Sequence, residues 1–165
     1  MAKVGILMGS DSDMGKMAKA ADFLTEMGVE FNINVISAHR DPQKLFKYFE
    51  DAKTNGTKVI IAGAGMSAHL PGVSAALSSM PVIGVPMSNS LGGADALHSI
   101  VQMPPGIPVA CVAIDGALNA AILAAQILAV ADDDLHTKLV EYRLNMRAAV
   151  AKKDERLQEV GYKNY

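Results

Sequence analysis

The stretch KVGILMGSDSDMGKMAKAADFLTEMG, residues 3–28, joins an apolar run to a helical pattern through a short polar loop. The apolar run predicts a buried strand. From Ser12 onward apolar residues recur at helical spacing, which predicts an amphipathic helix that Ser12 or Asp13 caps and Gly28 ends. A strand that leads directly into a helix is the building unit of a parallel sheet.

The same strand-helix unit follows four more times along the chain. Further strands are predicted at EFNINVIS (30–37), KVIIAGA (58–64), PVIGVPM (81–87) and VACVAI (109–114). Helices are predicted at 41–56, near 69–78, at 92–103 and at 117–131. In the first of these, Asp41 is the predicted cap, Pro42 the first helical residue and Gly56 the end. This alternation predicts an α/β fold, a three-layer doubly wound parallel sheet whose strands are covered on both faces.

The last two predicted helices have more apolar surface than packing against the sheet would bury. Residues 117–131 are apolar nearly all round, and a helix without a polar face indicates burial between subunits. Residues 132–165 predict a further helix, which begins with an acidic turn. Its apolar stripe consists of Leu135, Leu139, Tyr142, Met146, Val150 and Leu157. We therefore expect a sheet domain at 1–131 and a C-terminal helix at 132–165 that packs on a neighbouring subunit.

Composition excludes several classes of protein. The chain has 165 residues, a net charge of −2 and no tryptophan, which argues against a nucleic-acid partner. Its one cysteine, Cys111, cannot form a disulfide within the chain, so a cytoplasmic location is expected, and its apolar strand predicts a small buried residue rather than a nucleophile. The N-terminus lacks the pattern of a signal peptide. Polar residues interrupt the apolar run at 107–131, so no membrane span is expected.

Four polar loops follow predicted strands and should share one edge of the sheet, where ligands bind in such folds. They are GSDSD (9–13), SAHR (37–40), GAGMSAHLPG (63–72) and MSNSLGG (87–93). Ser10 and Ser12 offer hydroxyls to a phosphate, whereas an acid in the first loop is better suited to ribose hydroxyls. For Asp13 the alternative is a plain helix cap. Neither a dinucleotide-binding nor a P-loop fingerprint is present.

The second loop supplies the best candidates for chemistry. Arg40 can pair with a phosphate through two hydrogen bonds. His39 is the leading acid-base candidate, because a free imidazole titrates near pH 6.5, roughly the pH of the cell. His69 is the second candidate, whereas His98 and His136 lie in helical patterns and are interpreted as structural or solvated. No histidine pair or Cys/His cluster predicts a metal site.

Five stretches in this order resemble the class I PurE family, the N5-carboxyaminoimidazole ribonucleotide mutases of purine biosynthesis. They are GSDSD, SAHR, AHLPG, SIVQMPPGIPV and NAAILAAQIL, and the resemblance runs from about residue 4 to residue 131. The resemblance implies a flavodoxin-like catalytic domain at 1–131, a homo-octamer, and neither cofactor nor metal. It also implies a small ribonucleotide as the substrate.

When the family's residue roles are transferred to the matching positions of this sequence, the resemblance implies a role for each loop. Ser10, Ser37 and Arg40 would hold the phosphate, Asp13 would bind the ribose hydroxyls, and Asp11 and Ser12 would lie against the ligand. His39 would be the general acid-base. The imidazole and its carboxylate would border the stretch Gly65, Ser67, Ala68, His69 and Leu70, in which His69 lines the pocket. The MPPG loop (103–106) would close a site.

One departure leaves alternatives open. Many mutases have Gly-Gly-Ala-Ala before His-Leu-Pro-Gly, whereas this chain has Gly65-Met66-Ser67-Ala68. Such a turn is similar to that of the second PurE class, the carboxylases that use free carbon dioxide. A non-catalytic nucleotide-binding module with the same loops is a further alternative, although it would need the arginine without the histidine. A flavodoxin is disfavoured because the loops offer few aromatic side chains to a flavin.

Overall fold

The computed structural model describes residues 3–165, and its centre is a five-stranded parallel sheet. The strands are β1 (Val4–Met8), β2 (Phe31–Val35), β3 (Val59–Gly65), β4 (Val82–Met87) and β5 (Ala110–Cys111). They lie in the order β2-β1-β3-β4-β5. This is the flavodoxin-like order, in which the direction of winding changes between β1 and β3. The predicted fold class is confirmed.

Four helices connect successive strands of the sheet, and two more follow the last strand. They are α1 (Met14–Met27), α2 (Pro42–Ala52), α3 (Leu70–Leu77), α4 (Ala94–Val101), α5 (Ala117–Ala129) and α6 (Asp133–Val160). Short 3₁₀ turns, Asp11–Asp13 and Leu91–Gly93, precede α1 and α4. Within residues 3–165, no helix is both long and apolar enough to cross a membrane.

An apolar cluster lies between the sheet and helices α2, α3 and α4. Strand residues Leu7, Ile60 and Val82 contribute to it, and Phe49 of α2 and Ile100 of α4 pack against them. On the other face, Met17 of α1 is fully buried and lies close to the backbone of β3. Burial on both faces explains why strands β1, β3 and β4 are continuous apolar runs.

Local sequence signals predicted most helix ends correctly. Gly28 follows α1 with φ 73°, the left-handed conformation that glycine adopts readily. The Asp41 carboxylate accepts a hydrogen bond from the Lys44 amide, and Pro42 is the first residue of α2. Gly56 does not end α2, however. The helix ends at Ala52, because the following amides fold back onto the carbonyl of Asp51 in a tight turn.

Two other boundaries differ from the prediction. Asp13 occupies the position before α1, but its side chain makes no capping hydrogen bond. The 3₁₀ turn extends the helical backbone by three residues, and Ser10 caps that turn by accepting from the Ser12 amide. The fifth strand pairs in register with β4 only over Ala110–Cys111. Beyond Cys111 the amides of Val112 and Asp115 still donate to β4 carbonyls, but they do not extend the regular ladder. The predicted run 109–114 was too long.

The chain divides into two compact units, residues 1–128 and 129–165. The first contains the sheet, and α6 forms most of the second. In the predicted stripe of α6, Leu135 and Leu139 are buried, whereas Met146 and Val150 are 54% and 65% exposed. Tyr142 and Leu157 are half-buried.

Candidate active site

A cavity of about 600 Å³ lies at the carboxyl ends of strands β1 to β4. All four predicted loops contribute to it, as expected for the edge of a doubly wound sheet. Its lining consists of Gly9, Ser10, Ser12, Asp13, Ser37, Ala38, His39, Arg40, Ala64, Gly65, Met66, Ser67, His69, Leu70 and Asn89. The side chains combine hydroxyls, imidazoles, a guanidinium and a carboxylate, a set that suits a charged and hydroxylated ligand.

Arg40 is held at the rim by the two loops nearest to it. Its Nη2 atom donates to the carbonyl of Gly9 at 2.8 Å, and its Nε atom donates to the hydroxyl of Ser37 at 3.2 Å. The Ser37 hydroxyl also accepts from the Arg40 amide. These contacts use two of the five guanidinium N–H donors, so the remaining donors are available to an anion in a fixed orientation.

The hydroxyls of the first loop form a small cluster. Ser10 Oγ accepts from Ser12 Oγ at 3.0 Å and donates to a carboxylate oxygen of Asp11 at 3.2 Å. Asp11 is exposed and lies outside the cavity lining. An anion that binds here must therefore compete with Asp11 for the Ser10 proton, and rotation of one hydroxyl is enough to make that exchange.

His39 and His69 meet directly at the cavity. The Nε2 atom of His39 lies 2.7 Å from the Nδ1 atom of His69, and the ring planes are nearly perpendicular at 84°. His39 follows β2, and His69 is the residue before α3. The two candidates for proton transfer, 30 residues apart in the chain, thus form one hydrogen-bonded pair.

Asp13 is turned toward the cavity instead of its own helix. The residue is 2% exposed, and its Oδ1 atom accepts a hydrogen bond from the Asn89 amide nitrogen at 3.0 Å. Between residues 3 and 165, its Oδ2 atom receives no hydrogen bond. A carboxylate with one oxygen engaged and the other unengaged at a cavity wall is suited to accept hydrogen bonds from ligand hydroxyls.

The residue before Asn89 is fixed by contacts outside the cavity. Both the amide and the hydroxyl of Ser88 donate to the Asp115 carboxylate. Lys16 of α1 lies 2.9 Å from that carboxylate and donates to the Ser88 hydroxyl. Burial alone would raise the pKa of Asp115, but the hydrogen bonds from Ser88 and Lys16 outweigh it, and the pKa lies below its ordinary value.

Two residues at the end of β3 have unusual backbone requirements. A Cβ atom at Gly65 would lie 2.6 Å from the amide nitrogen of Asn89, so only glycine leaves room for that side chain. Met66 has φ 55°, in the left-handed region, and its side chain is 60% exposed. A residue other than glycine in this conformation carries a backbone cost of roughly 1–3 kcal/mol.

The structure brings together most of the site residues that the sequence singled out. Asp11 and Ala68 do not line the cavity, and Ala68 is buried behind it. The MPPG loop also lies outside the lining. Asn89 was missed, although its loop had been recognised. The signal available in the sequence was an amide side chain two residues after a buried strand.

The remaining candidates are not among the residues that line the cavity. His98 and His136 lie on α4 and α6. Cys111 is half-buried in β5, and burial raises the pKa of its thiol, which disfavours a nucleophilic role. In the described part of the chain, no group of three or more His, Cys, Asp or Glu side chains is placed to hold a metal ion.

Comparison with known proteins agrees with this geometry. The model of a family described as AIR carboxylase matches residues 3–149. The chain is 51% identical to N5-carboxyaminoimidazole ribonucleotide mutase of Thermotoga maritima, covering 100% of this chain and 97% of that protein. It is 52% identical to phosphoribosylaminoimidazole carboxylase of Candida albicans over 98% of this chain but only 29% of that protein. The crystal structure of Treponema denticola PurE matches with a TM-score of 0.86 and 33% identity over 93% of this chain and 97% of that one.

Proposed function

Since the chain belongs to the AIR carboxylase family, we propose that it is an N5-carboxyaminoimidazole ribonucleotide mutase of de novo purine biosynthesis. The enzyme is then an isomerase that moves a carboxylate from the exocyclic nitrogen of the substrate to the imidazole ring carbon. The product is 4-carboxy-5-aminoimidazole ribonucleotide. The Thermotoga maritima relative, which bears the mutase name, is matched over nearly its whole length, which favours this activity.

The contact between His39 and His69 carries the proposal. A protein that only binds a ribonucleotide needs a cation for the phosphate and acceptors for the ribose. It does not need two imidazoles 2.7 Å apart at the same cavity as that cation. Paired imidazoles suit a reaction in which one proton is delivered and another is removed.

The substrate's polar parts have matching groups along the cavity. The phosphate binds at Arg40, Ser37 and Ser10, where unengaged guanidinium donors provide the countercharge. The ribose hydroxyls donate to Asp13, with Ser12 beside them. The imidazole then lies toward His39 and the stretch from Gly65 to Leu70.

The first half of the reaction breaks the bond between the exocyclic nitrogen and the carboxylate carbon. Carbon dioxide leaves, and the bonding pair remains on the nitrogen, which takes a proton from protonated His39. The products of this half are 5-aminoimidazole ribonucleotide and carbon dioxide. Small residues such as Gly65 and Ala64 at the cavity wall suit retention of so small a molecule.

The second half forms the carbon-carbon bond. The electron-rich ring carbon attacks carbon dioxide, and the ring proton passes to neutral His39, which restores the aromatic ring. The imidazole gives one proton and regains one, so the cycle closes without an external acid or base. Each proton transfer contributes roughly a hundredfold to ten-thousandfold to the rate.

Direct carboxylation of 5-aminoimidazole ribonucleotide is the second candidate function. It is favoured by the Met66-Ser67 turn and by the carboxylase name of the Candida albicans relative. That protein is more than three times as long as the matched region, so the remainder of its chain has room for a further activity. The mutase reading therefore remains the better supported one.

A labelling experiment separates the two functions. Purified protein receives N5-carboxyaminoimidazole ribonucleotide with a ¹³C-labelled carboxylate in unlabelled bicarbonate buffer. A mutase keeps the label in the product, whereas a carboxylase forms product only from 5-aminoimidazole ribonucleotide and dissolved carbon dioxide. If 4-carboxy-5-aminoimidazole ribonucleotide forms neither with nor without the label, the protein is a non-catalytic binding module and the proposal is wrong.

The proposal extends to assembly and location. We propose a cytoplasmic homo-octamer in which α6 packs on a neighbouring subunit. Four apolar side chains of α6 that are 47–65% exposed support this arrangement, namely Val140, Leu144, Met146 and Val150. Sedimentation at dilute concentration tests it, and a compact monomer would contradict it.

A further inference from the structure

Asn89, in the loop after β4, is the cavity residue that contacts the proposed ribose-binding carboxylate of Asp13. It lies 76 residues from Asp13, and its amide nitrogen donates to Asp13 Oδ1 at 3.0 Å. Asn89 and its anchor Asp115 are both outside the five stretches on which the family resemblance rests. The roles already assigned to the loops do not include it.

The position of Asn89 is determined from two sides. On one side, Ser88 is held through both its amide and its hydroxyl by Asp115, which Lys16 pairs with at 2.9 Å. On the other side, Gly65 leaves the space that the Asn89 amide occupies. A side chain constrained in this way can hold a partner in one orientation before any ligand arrives, which lowers the entropic cost of binding.

The hydrogen bond from Asn89 determines which oxygen of the Asp13 carboxylate is left for a ligand. Asn89 engages Oδ1, and the Asp13 side chain does not cap the helix amides, so the hydrogen bond from Asn89 restrains the orientation of the carboxylate. Oδ2 is then the acceptor presented to ligand hydroxyls.

We propose that Asn89 is a substrate-positioning residue, which orients the Asp13 carboxylate to accept hydrogen bonds from the ribose hydroxyls of the ribonucleotide. The inference rests on the proposed function, since it concerns the same cavity and the same substrate class. It assigns to the loop after β4 a role in binding, whereas proton transfer belongs to the loops after β2 and β3.

The first test is the kinetics of Asn89→Ala with N5-carboxyaminoimidazole ribonucleotide. We expect KM to rise roughly tenfold to a hundredfold, the range for loss of one hydrogen bond to a charged group. We expect kcat to change by about threefold or less, because the histidine pair is untouched. The matched control is Ser90→Ala, one position further along the same loop, where the side chain makes no capping contact and does not line the cavity. An unchanged KM in Asn89→Ala, or an equal rise in Ser90→Ala, would overturn the inference.

A double-mutant cycle tests whether Asn89 acts through Asp13. If it does, Asn89→Ala adds little to the rise in KM caused by Asp13→Ala alone, because the two residues form one unit. Fully additive effects would overturn the inference and assign Asn89 an independent role.

The isosteric variant Asn89→Asp supplies a readout that a purely structural role would not change. Two carboxylates then face each other, so one of them binds a proton more readily, and the protonated one restores the donor. We expect the rise in KM to be largest at neutral pH and to shrink as the pH falls, a trend absent from the wild type. A rise in KM that does not depend on pH would count against the inference.

Binding of 5-aminoimidazole ribonucleotide, measured by calorimetry, separates the two possible failures. A wild-type protein that neither binds this compound nor converts the carboxylated substrate overturns the proposed function and this inference with it. A wild-type protein that does both, with an Asn89→Ala variant of equal affinity, overturns only the inference.

Discussion

The Nε2 atom of His39 lies 2.7 Å from the Nδ1 atom of His69, so one ring donates a hydrogen bond and the other accepts it. Two fully protonated rings have no acceptor, and the contact therefore requires at least one neutral imidazole. An arrangement of this kind keeps one ring able to take a proton while its partner is able to give one. It provides the physical basis for assigning both proton transfers to His39, with His69 as its hydrogen-bond partner.

Replacing His39 tests its role as the group that moves protons. We expect His39→Asn to keep the fold and the ribonucleotide affinity, because His39 is exposed. Turnover should fall by roughly a thousandfold or more, since both proton transfers are lost. His39→Gln is the matched control, because its amide can occupy the Nε2 position and retain the contact with His69 without titrating. Near-normal turnover in either variant would remove His39 from the mechanism.

Replacing His69 separates orientation from proton transfer. His69→Asn places an amide at the position of Nδ1 and can preserve the contact with His39, whereas His69→Ala cannot. If His69 mainly orients His39, kcat should fall roughly tenfold in His69→Ala and by less in His69→Asn. Single-turnover rates provide the measurement. Equal losses in the two variants would show that titration of His69 itself is required.

Replacing Arg40 tests the phosphate end of the cavity. We expect Arg40→Ala to weaken binding of 5-aminoimidazole ribonucleotide roughly a hundredfold, because the charge and the fixed donors are both lost. Arg40→Lys should recover part of the affinity, since it keeps the charge but not the planar fork held by Gly9 and Ser37. The corresponding nucleoside, which lacks the phosphate, is the control ligand. An equal loss of affinity for nucleoside and nucleotide would contradict the assignment.

Local signals in the sequence predicted the sheet, its helices and the edge that carries the site. Pro42 and Gly28 act on their own backbone, and so their effect can be read from neighbouring letters. Contacts between distant residues could not be predicted in this way. Asn89 reaches Asp13 across 76 positions because Gly65 leaves space for it. The same contact explains why Asp13 does not cap α1, since its carboxylate is engaged at the cavity.

Met66 offers a test of backbone strain at the cavity. Its φ of 55° is disfavoured for a side chain with a Cβ atom, and its side chain is 60% exposed, so little packing would be lost on its removal. We expect Met66→Gly to raise the free energy of unfolding by about 1 kcal/mol, after allowance for the greater flexibility of glycine in the unfolded chain. Urea unfolding provides the measurement. Met66→Ala retains the strain and should not be stabilised, so an equal gain in both variants would refute this explanation.

The Asp115 carboxylate, which holds Ser88 beside the cavity, makes the free energy of unfolding depend on pH. Its pKa in the folded protein lies below its ordinary value of about 3.9, because Ser88 and Lys16 stabilise the charged form. A lowered pKa contributes stability that is fully present above the ordinary value and is lost as the pH falls through the folded value. We therefore expect Asp115→Asn to unfold more readily than the wild type by about 1 kcal/mol at pH 7, a modest figure because the carboxylate is one-third exposed.

That difference between Asp115→Asn and the wild type should begin to shrink as the pH falls below about 4, where the aspartate of the unfolded wild type binds a proton. It should vanish only below the lower pKa of the folded protein, where both states are protonated. Asparagine tolerates the left-handed backbone that Asp115 adopts, with φ 57°, so the substitution removes the charge without adding strain. Urea unfolding from pH 7 down to pH 3 measures the difference, and added salt should reduce it at pH 7. A difference that stays constant over this range would show that the carboxylate's charge does not hold Ser88 in place. The site would then depend on packing at Gly65 to position Asn89.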